Sequence, residues 1–161
     1  MRTNTKTIQM PFEIKSLDEN GAFTGYGSVF HNEDSYGDIV RPGAFEKSLE
    51  KWAGKGRLPP VLWQHDTRQP IGVFTKMQED QHGLYVEGRL LVDAIPQARA
   101  AHALLKEKVL GGMSIGYREI KTAWNREDST QALLELDLRE VTIVTFPANE
   151  AATVDSVKAD F

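Results

Sequence analysis

Cysteine is absent from this 161-residue chain. That excludes disulfide frameworks, thiolate nucleophiles, cysteine-ligated zinc and iron–sulfur clusters together. Histidine is scarce, with only His31, His65, His82 and His102. General-base chemistry near neutral pH has to draw on these four or on carboxylates. A basic excess is also missing: 19 Lys and Arg stand against 23 Asp and Glu, a net charge of −4. This argues against a phosphate-binding surface and against nucleic acid as a partner. No apolar run approaches the roughly 20 residues of a membrane span, and the N-terminal ten residues lack the apolar core of a signal peptide. The chain therefore reads as a soluble, cytosolic protein with no membrane partner. Residues 1–161 read as one domain, and 40% hydrophobic content is enough for a real core.

The dominant hydropathy period is two. Residues 7–14 alternate apolar and polar, and the turn cluster Asp18-Glu19-Asn20-Gly21 leads into a second run over 22–30, which together predict a β-hairpin. Pro42-Gly43 opens a short helical pattern with Phe45, Leu49 and Trp52 on one stripe. A strand is expected over 61–65, ending at His65, and a second hairpin over 71–91 turns at Asp80-Gln81-His82-Gly83. One long helix is expected over 95–110, capped by Asp93, with Pro96 in its first turn and Gly111-Gly112 at its end. Strands over 113–120 and 133–146 follow, and Pro147-Ala148-Asn149 closes the second. This is α+β and mostly β: the economical closure is a small closed antiparallel β-barrel of about seven strands with two or more inserted helices.

Three stretches carry chemistry. In Gly112-Met113-Ser114-Ile115-Gly116, a serine follows a helix end, and small neighbours leave space above its hydroxyl for an acyl group. A helix cap followed by an ordinary strand serine fits the same letters. In Leu62-Trp63-Gln64-His65-Asp66, strand parity places His65 with Val61 and Trp63, so an imidazole leaves from the apolar side at a strand end. A histidine at the rim without a role fits equally. In Leu134-Glu135-Leu136-Asp137-Leu138-Arg139-Glu140, three leucines line one face and Glu140 continues their parity. Either the strand bulges near Arg139 and turns Glu140 to water, or a carboxylate enters the inward face and needs a partner such as an imidazolium. No histidine pair has metal-ligand spacing, and no phosphate loop or dinucleotide fingerprint is present, so neither a metal nor a cofactor is expected.

In this order, these pieces resemble the prohead protease family of tailed bacteriophages, the serine proteases that mature the capsid. The resemblance spans nearly the whole chain. It includes Gly25-Tyr26-Gly27-Ser28-Val29-Phe30, Arg41-Pro42-Gly43-Ala44-Phe45, Leu62-Trp63-Gln64-His65-Asp66, Leu110-Gly111-Gly112-Met113-Ser114-Ile115-Gly116-Tyr117 and Glu140-Val141-Thr142-Ile143-Val144-Thr145-Phe146-Pro147-Ala148-Asn149. It implies a fold related to the herpesvirus assemblins, with Ser114 as nucleophile and His65 as general base. The assemblins place a second histidine after the serine. None follows Ser114 here, so Glu140 takes the third position, with Asp66 as runner-up and Asp137 behind it. By the same analogy, backbone N–H groups around Ala148 and Asn149 form the oxyanion hole. The implied substrates are the scaffolding segment of the major capsid protein precursor and the protease itself. The implied place is inside the procapsid in the host cytoplasm, with a homodimer as in the assemblins and without the C-terminal extension of the family. The rival is a capsid-assembly module with the same barrel and no catalysis; an esterase using the same residues stands further back.

Overall fold

In the computed structural model, residues 5–11, 13–33, 37–110 and 112–144 are described, and for 5–11, 13–15, 112 and 114 the description is the course and pairing of the backbone. Among the described residues, nine strands and two helices follow one another as β1 (Thr5–Pro11), β2 (Glu13–Leu17), β3 (Ala22–Val29), β4 (Asp38–Val40), α1 (Glu46–Gly54), β5 (Pro60–Trp63), β6 (Asp66–Glu79), β7 (Gly83–Leu90), α2 (Pro96–Lys106), β8 (Gly112–Asn125) and β9 (Thr130–Val144). The α+β, mostly-β expectation holds. The predicted hairpin over 71–91 appears as β6–β7. The first holds in part: its second strand and turn are β3 and the turn before it, but the arm expected over 7–14 is split, with 7–11 in β1 on β8 and only β2 paired with β3.

The closed barrel of about seven strands does not hold. The strands pair along an open path, β1-β8-β9-β5-β6-β7-β3-β2, with β4 added on β9. Its ends are β1 and β2, and among the described residues no ladder joins them. These two strands are separated by one residue in sequence yet pair at opposite ends of the path, on β8 and on β3. The ends curl toward each other: a Cβ on Gly27 of β3 would stand 3.3 Å from Met113 Sδ of β8.

Nor is the sheet wholly antiparallel. β9 receives three partners in succession along one edge: β4 in parallel at 131–133, α1 at 136–138, and β5 in parallel at 141–143. The segment from β4 through α1 to β5 thus runs alongside β9 in one direction. Between the two strands, α1 and the turn before it satisfy the β9 backbone. Leu136 N–H donates to the Ala44 carbonyl at 2.9 Å, Leu138 N–H donates to Ser48 Oγ at 2.8 Å, and Trp52 Nε1–H donates to the Leu138 carbonyl at 2.9 Å. A helix has replaced a strand without orphaning the buried edge.

Of the predicted Phe45–Leu49–Trp52 stripe, Trp52 reaches this edge, while Phe45 is buried in the core and Leu49 packs partly buried against it; α1 starts later than its Pro-Gly opening. The Glu79 carboxylate holds the turn that leads into α1, accepting from the N–H groups of Gly43 at 2.6 Å and Phe45 at 2.8 Å. α2 starts from Ile95 in an extended conformation with Pro96 in its first turn; no side chain caps it, so Asp93 is not its cap. It buries Ala98, Ala101 and Leu105. The core gathers Phe23, Val61, Ile71, Leu84, Ile115 and Tyr117, each at most 1% exposed.

Candidate active site

β5 ends at Trp63 and β6 begins at Asp66, so Gln64 and His65 are the two residues of a tight turn between antiparallel strands. His65 is therefore not the last residue of a strand. Both turn residues have positive φ, +50° and +62°, the pattern of a turn that usually takes Asn and Gly. Holding an ordinary L-residue there costs about 1–2 kcal/mol. β9 holds the turn in place. Gln64 N–H donates to the Ile143 carbonyl at 3.0 Å, and His65 N–H donates to Thr142 Oγ1 at 3.0 Å.

The ring of His65 meets Glu140: Nδ1 lies 2.7 Å from Oε1, with the two side chains 27% and 18% exposed. An ionised carboxylate only accepts, so Nδ1 is the protonated nitrogen and Nε2 of the neutral ring keeps its lone pair. Nε2 is buried and has no hydrogen-bond partner among the described residues. Buried polar atoms are ordinarily satisfied, and an orphan calls for a functional reason.

A bulge delivers Glu140 to this place. Pairing of β8 with β9 passes from Tyr117–Leu138 to Gly116–Glu140, leaving Arg139 as the extra residue. Tyr117, Ile115 and Met113 pair with Leu138, Val141 and Ile143, all buried in the core. Without the bulge Glu140 would share the face of Leu138; with it, Glu140 shares the face of Thr142. The strand does bulge at Arg139, yet the carboxylate turns onto the imidazole rather than into water. A second irregularity, between Leu133 and Glu135, breaks the predicted leucine face. Leu134 is 43% exposed while Leu136 and Leu138 are buried.

Ser114 occupies the β8 position directly opposite Thr142, with Gln9 of β1 opposite it on the other side. Thr142 thus pairs with the Ser114 position and also hydrogen-bonds the His65 amide. Gly116, two residues on, pairs with Glu140, and the space above it is filled by the Glu140 side chain. The room predicted there for an acyl group is taken by the carboxylate.

The runner-up acids are engaged elsewhere. Asp66 Oδ1 accepts from Arg68 N–H at 2.9 Å and from Arg68 Nε at 3.2 Å, and these bonds hold its carboxyl below the ordinary range. Asp137 faces Arg139 at 3.1 Å, Lys51 at 3.7 Å and Arg118 at 3.8 Å. Ala148 and Asn149 lie outside the described residues. The remaining histidines have partners away from the site: Arg41 Nη1 donates to His31 Nδ1 at 3.0 Å, the His82 ring packs edge-on against Tyr26, and His102 Nε2 donates to the Asp18 carbonyl at 2.8 Å. Thr142 was missed at the sequence level. Its one signal is a hydroxyl in the otherwise apolar run Val141-Thr142-Ile143-Val144, two residues after Glu140.

Fold and geometry together define a mostly-β protein with a histidine–carboxylate pair held beside a serine-bearing strand. Residues 10–161 match the family described as Caudovirus prohead serine protease, and the chain belongs to that family. It is 35% identical over 151 residues to the prohead protease of Enterobacteria phage HK97, a match covering 91% of this chain and 65% of the relative. It therefore spans just under two thirds of that relative's length. To the prohead protease of Escherichia phage T5 it is 27% identical over 157 residues, 94% of this chain and 72% of the relative. A capsid polyprotein of Pseudomonas phage PAJU2 is 30% identical over 173 residues, 99% of this chain and 23% of the relative. The solved structure of the bacteriophage T4 capsid assembly protease superposes with a TM-score of 0.67 at 9% identity, over 89% of this chain and 99% of the other. That likeness is one of fold.

Proposed function

We propose that this chain is a serine endopeptidase that cleaves the scaffolding segment of a capsid protein precursor, and itself, within the procapsid in the host cytoplasm. The observation that carries the reading is the 2.7 Å contact of His65 Nδ1 with Glu140 while Nε2 stays buried and without a partner among the described residues. A general base needs this tautomer, with the acid on one nitrogen and the lone pair held ready on the other. Family membership, and the relatives named as prohead proteases and capsid polyprotein, support the substrate class.

In this reading, His65 Nε2 takes the proton of Ser114 Oγ as the oxygen attacks the scissile carbonyl carbon. Glu140 stabilises the imidazolium that forms. When the tetrahedral intermediate collapses, the C–N bond breaks and Nε2 gives its proton to the leaving amine. Water enters, loses a proton to Nε2 and attacks the acyl ester. Ser114 Oγ departs with that proton, which restores the neutral ring.

The experiment is co-expression with a cognate capsid precursor, beside labelling by a fluorophosphonate. The expected result is precursor cleavage and a phosphonyl adduct on Ser114 in the wild type. Ser114→Ala and His65→Ala should give neither while remaining folded. Cleavage at the wild-type rate by either variant rejects the assignment, and a folded wild type that neither cleaves nor takes the label points to an assembly module without catalysis.

A further inference from the structure

We infer that Thr142 is a positioning residue that sets the His65 turn and the Ser114 strand at one fixed spacing; this rests on the reading of Ser114 and His65 as nucleophile and base. Besides its parallel pairing with Leu62 of β5, Thr142 has two ties to the site. Its backbone stands opposite Ser114 in the β8–β9 ladder, and its Oγ1 accepts the His65 amide proton at 3.0 Å. It is fully buried, so water does not substitute for the hydroxyl when it is removed. Its face of β9 is also the face of Glu140, two residues earlier, which takes the other side of the same histidine.

The turn it holds has no conformational preference of its own for this shape. Gln64 and His65 are both in the left-handed region, where neither a glutamine nor a histidine settles unaided. Two bonds from β9 oppose that tendency. One is the Gln64 N–H to the Ile143 carbonyl, a backbone bond available to any sequence. The other is the Thr142 hydroxyl, the only one of the two that a side chain decides. Loss of the hydroxyl lets the turn relax, and Nε2 moves away from the Ser114 strand while Glu140 still grips Nδ1. Since a misplacement of about 1 Å is enough to cost on the order of 10²-fold in rate, the effect on acylation should be large against a small change in packing.

Thr142→Val and Thr142→Ser separate this role from packing. Valine keeps the shape and loses the hydroxyl; serine keeps the hydroxyl and loses the methyl. The measurement is the second-order rate of fluorophosphonate labelling at Ser114, with thermal unfolding alongside. Thr142→Val is expected to label at least about 30-fold more slowly, and Thr142→Ser to recover to within about 3-fold of wild type. A Val variant that labels at the wild-type rate overturns the inference, as does a Ser variant as slow as Val. Amide hydrogen exchange of the wild type gives a second readout that needs no variant to fold. The His65 N–H should be protected to the degree of its β9 neighbours, and exchange at the rate of an open turn overturns the inference. Failure of the parent reading looks different: the wild type then takes no label at Ser114, or His65→Ala labels as fast as wild type.

Discussion

The Glu140 side chain occupies the space where Gly116 would carry a Cβ. A methyl built there would overlap Glu140 Cγ and stand 2.9 Å from both Cδ and Oε1. The two residues are directly paired across β8 and β9, so the carboxylate reaches His65 by lying flat over the glycine. The Ser114-Ile115-Gly116 run thus serves its acid through the glycine, on the same strand that bears the serine.

Gly116→Ala should therefore act on the site through Glu140. The backbone of β8 is pinned by β1 and β9 on its two sides, so the carboxylate has to yield. The expected outcome is a fall of about 10²-fold in the labelling rate of Ser114, with a loss of about 1–3 kcal/mol in stability from overpacking. Fluorophosphonate kinetics and urea unfolding check the two halves. An unchanged labelling rate would mean that the Glu140–His65 contact is not needed for acylation.

The third catalytic position is tested by comparing two acids. Glu140→Gln keeps the shape and removes the charge that stabilises an imidazolium, and kcat/KM for a precursor-derived peptide should fall by roughly 10²- to 10⁴-fold. Asp66 is already held by Arg68, so Asp66→Asn should stay within about 3-fold of wild type, a loss below the ~1.4 kcal/mol that tenfold requires. The opposite ranking would transfer the orienting role to Asp66.

These residues also show how far the sequence is legible. The scarcity of histidine and the carboxylate after three leucines put His65 and Glu140 among the candidates, and the family resemblance, not the pattern, gives them roles. Their true placement was not, since a bulge at Arg139 and a left-handed turn at Gln64-His65 each break the strict alternation on which strand parity depends. The turn carries no Gly, Asn or Asp to announce it. The parallel pairs of β9 with β4 and β5 were hidden for a related reason. Each is only three residue pairs long, and α1, which joins them, reads locally as an insertion rather than as an edge of the sheet. The β6–β7 hairpin, by contrast, was local and was legible from its turn residues.

Ser48 shows what that edge is worth. Its hydroxyl accepts from the Leu138 amide at 2.8 Å, buried on both sides. Ser48→Ala leaves that N–H without a partner, which should cost about 1–3 kcal/mol. Urea unfolding measures the loss, and hydrogen exchange should show the Leu138 amide opening faster than its neighbours. A change within ±0.5 kcal/mol, the range of an ordinary surface substitution, would show that the helix does not carry this edge.

Asp80 makes the acid limb of stability predictable. Burial pushes its carboxyl up, but hydrogen bonds from the Tyr26 hydroxyl at 2.5 Å and from the N–H groups of Gly83 at 3.1 Å and His82 at 2.8 Å outweigh it. The net shift is downward. A carboxyl that ionises more readily in the folded state stabilises above its unfolded value, about 3.9 for Asp, and the contribution disappears as pH falls through the lower folded value. Asp80→Asn removes the titration. The difference in unfolding free energy between wild type and variant should be constant at neutral pH and should shrink below about pH 4. Urea unfolding across a pH series measures it, and a difference that stays the same down to the acid limit would mean that this turn contributes nothing to the pH dependence.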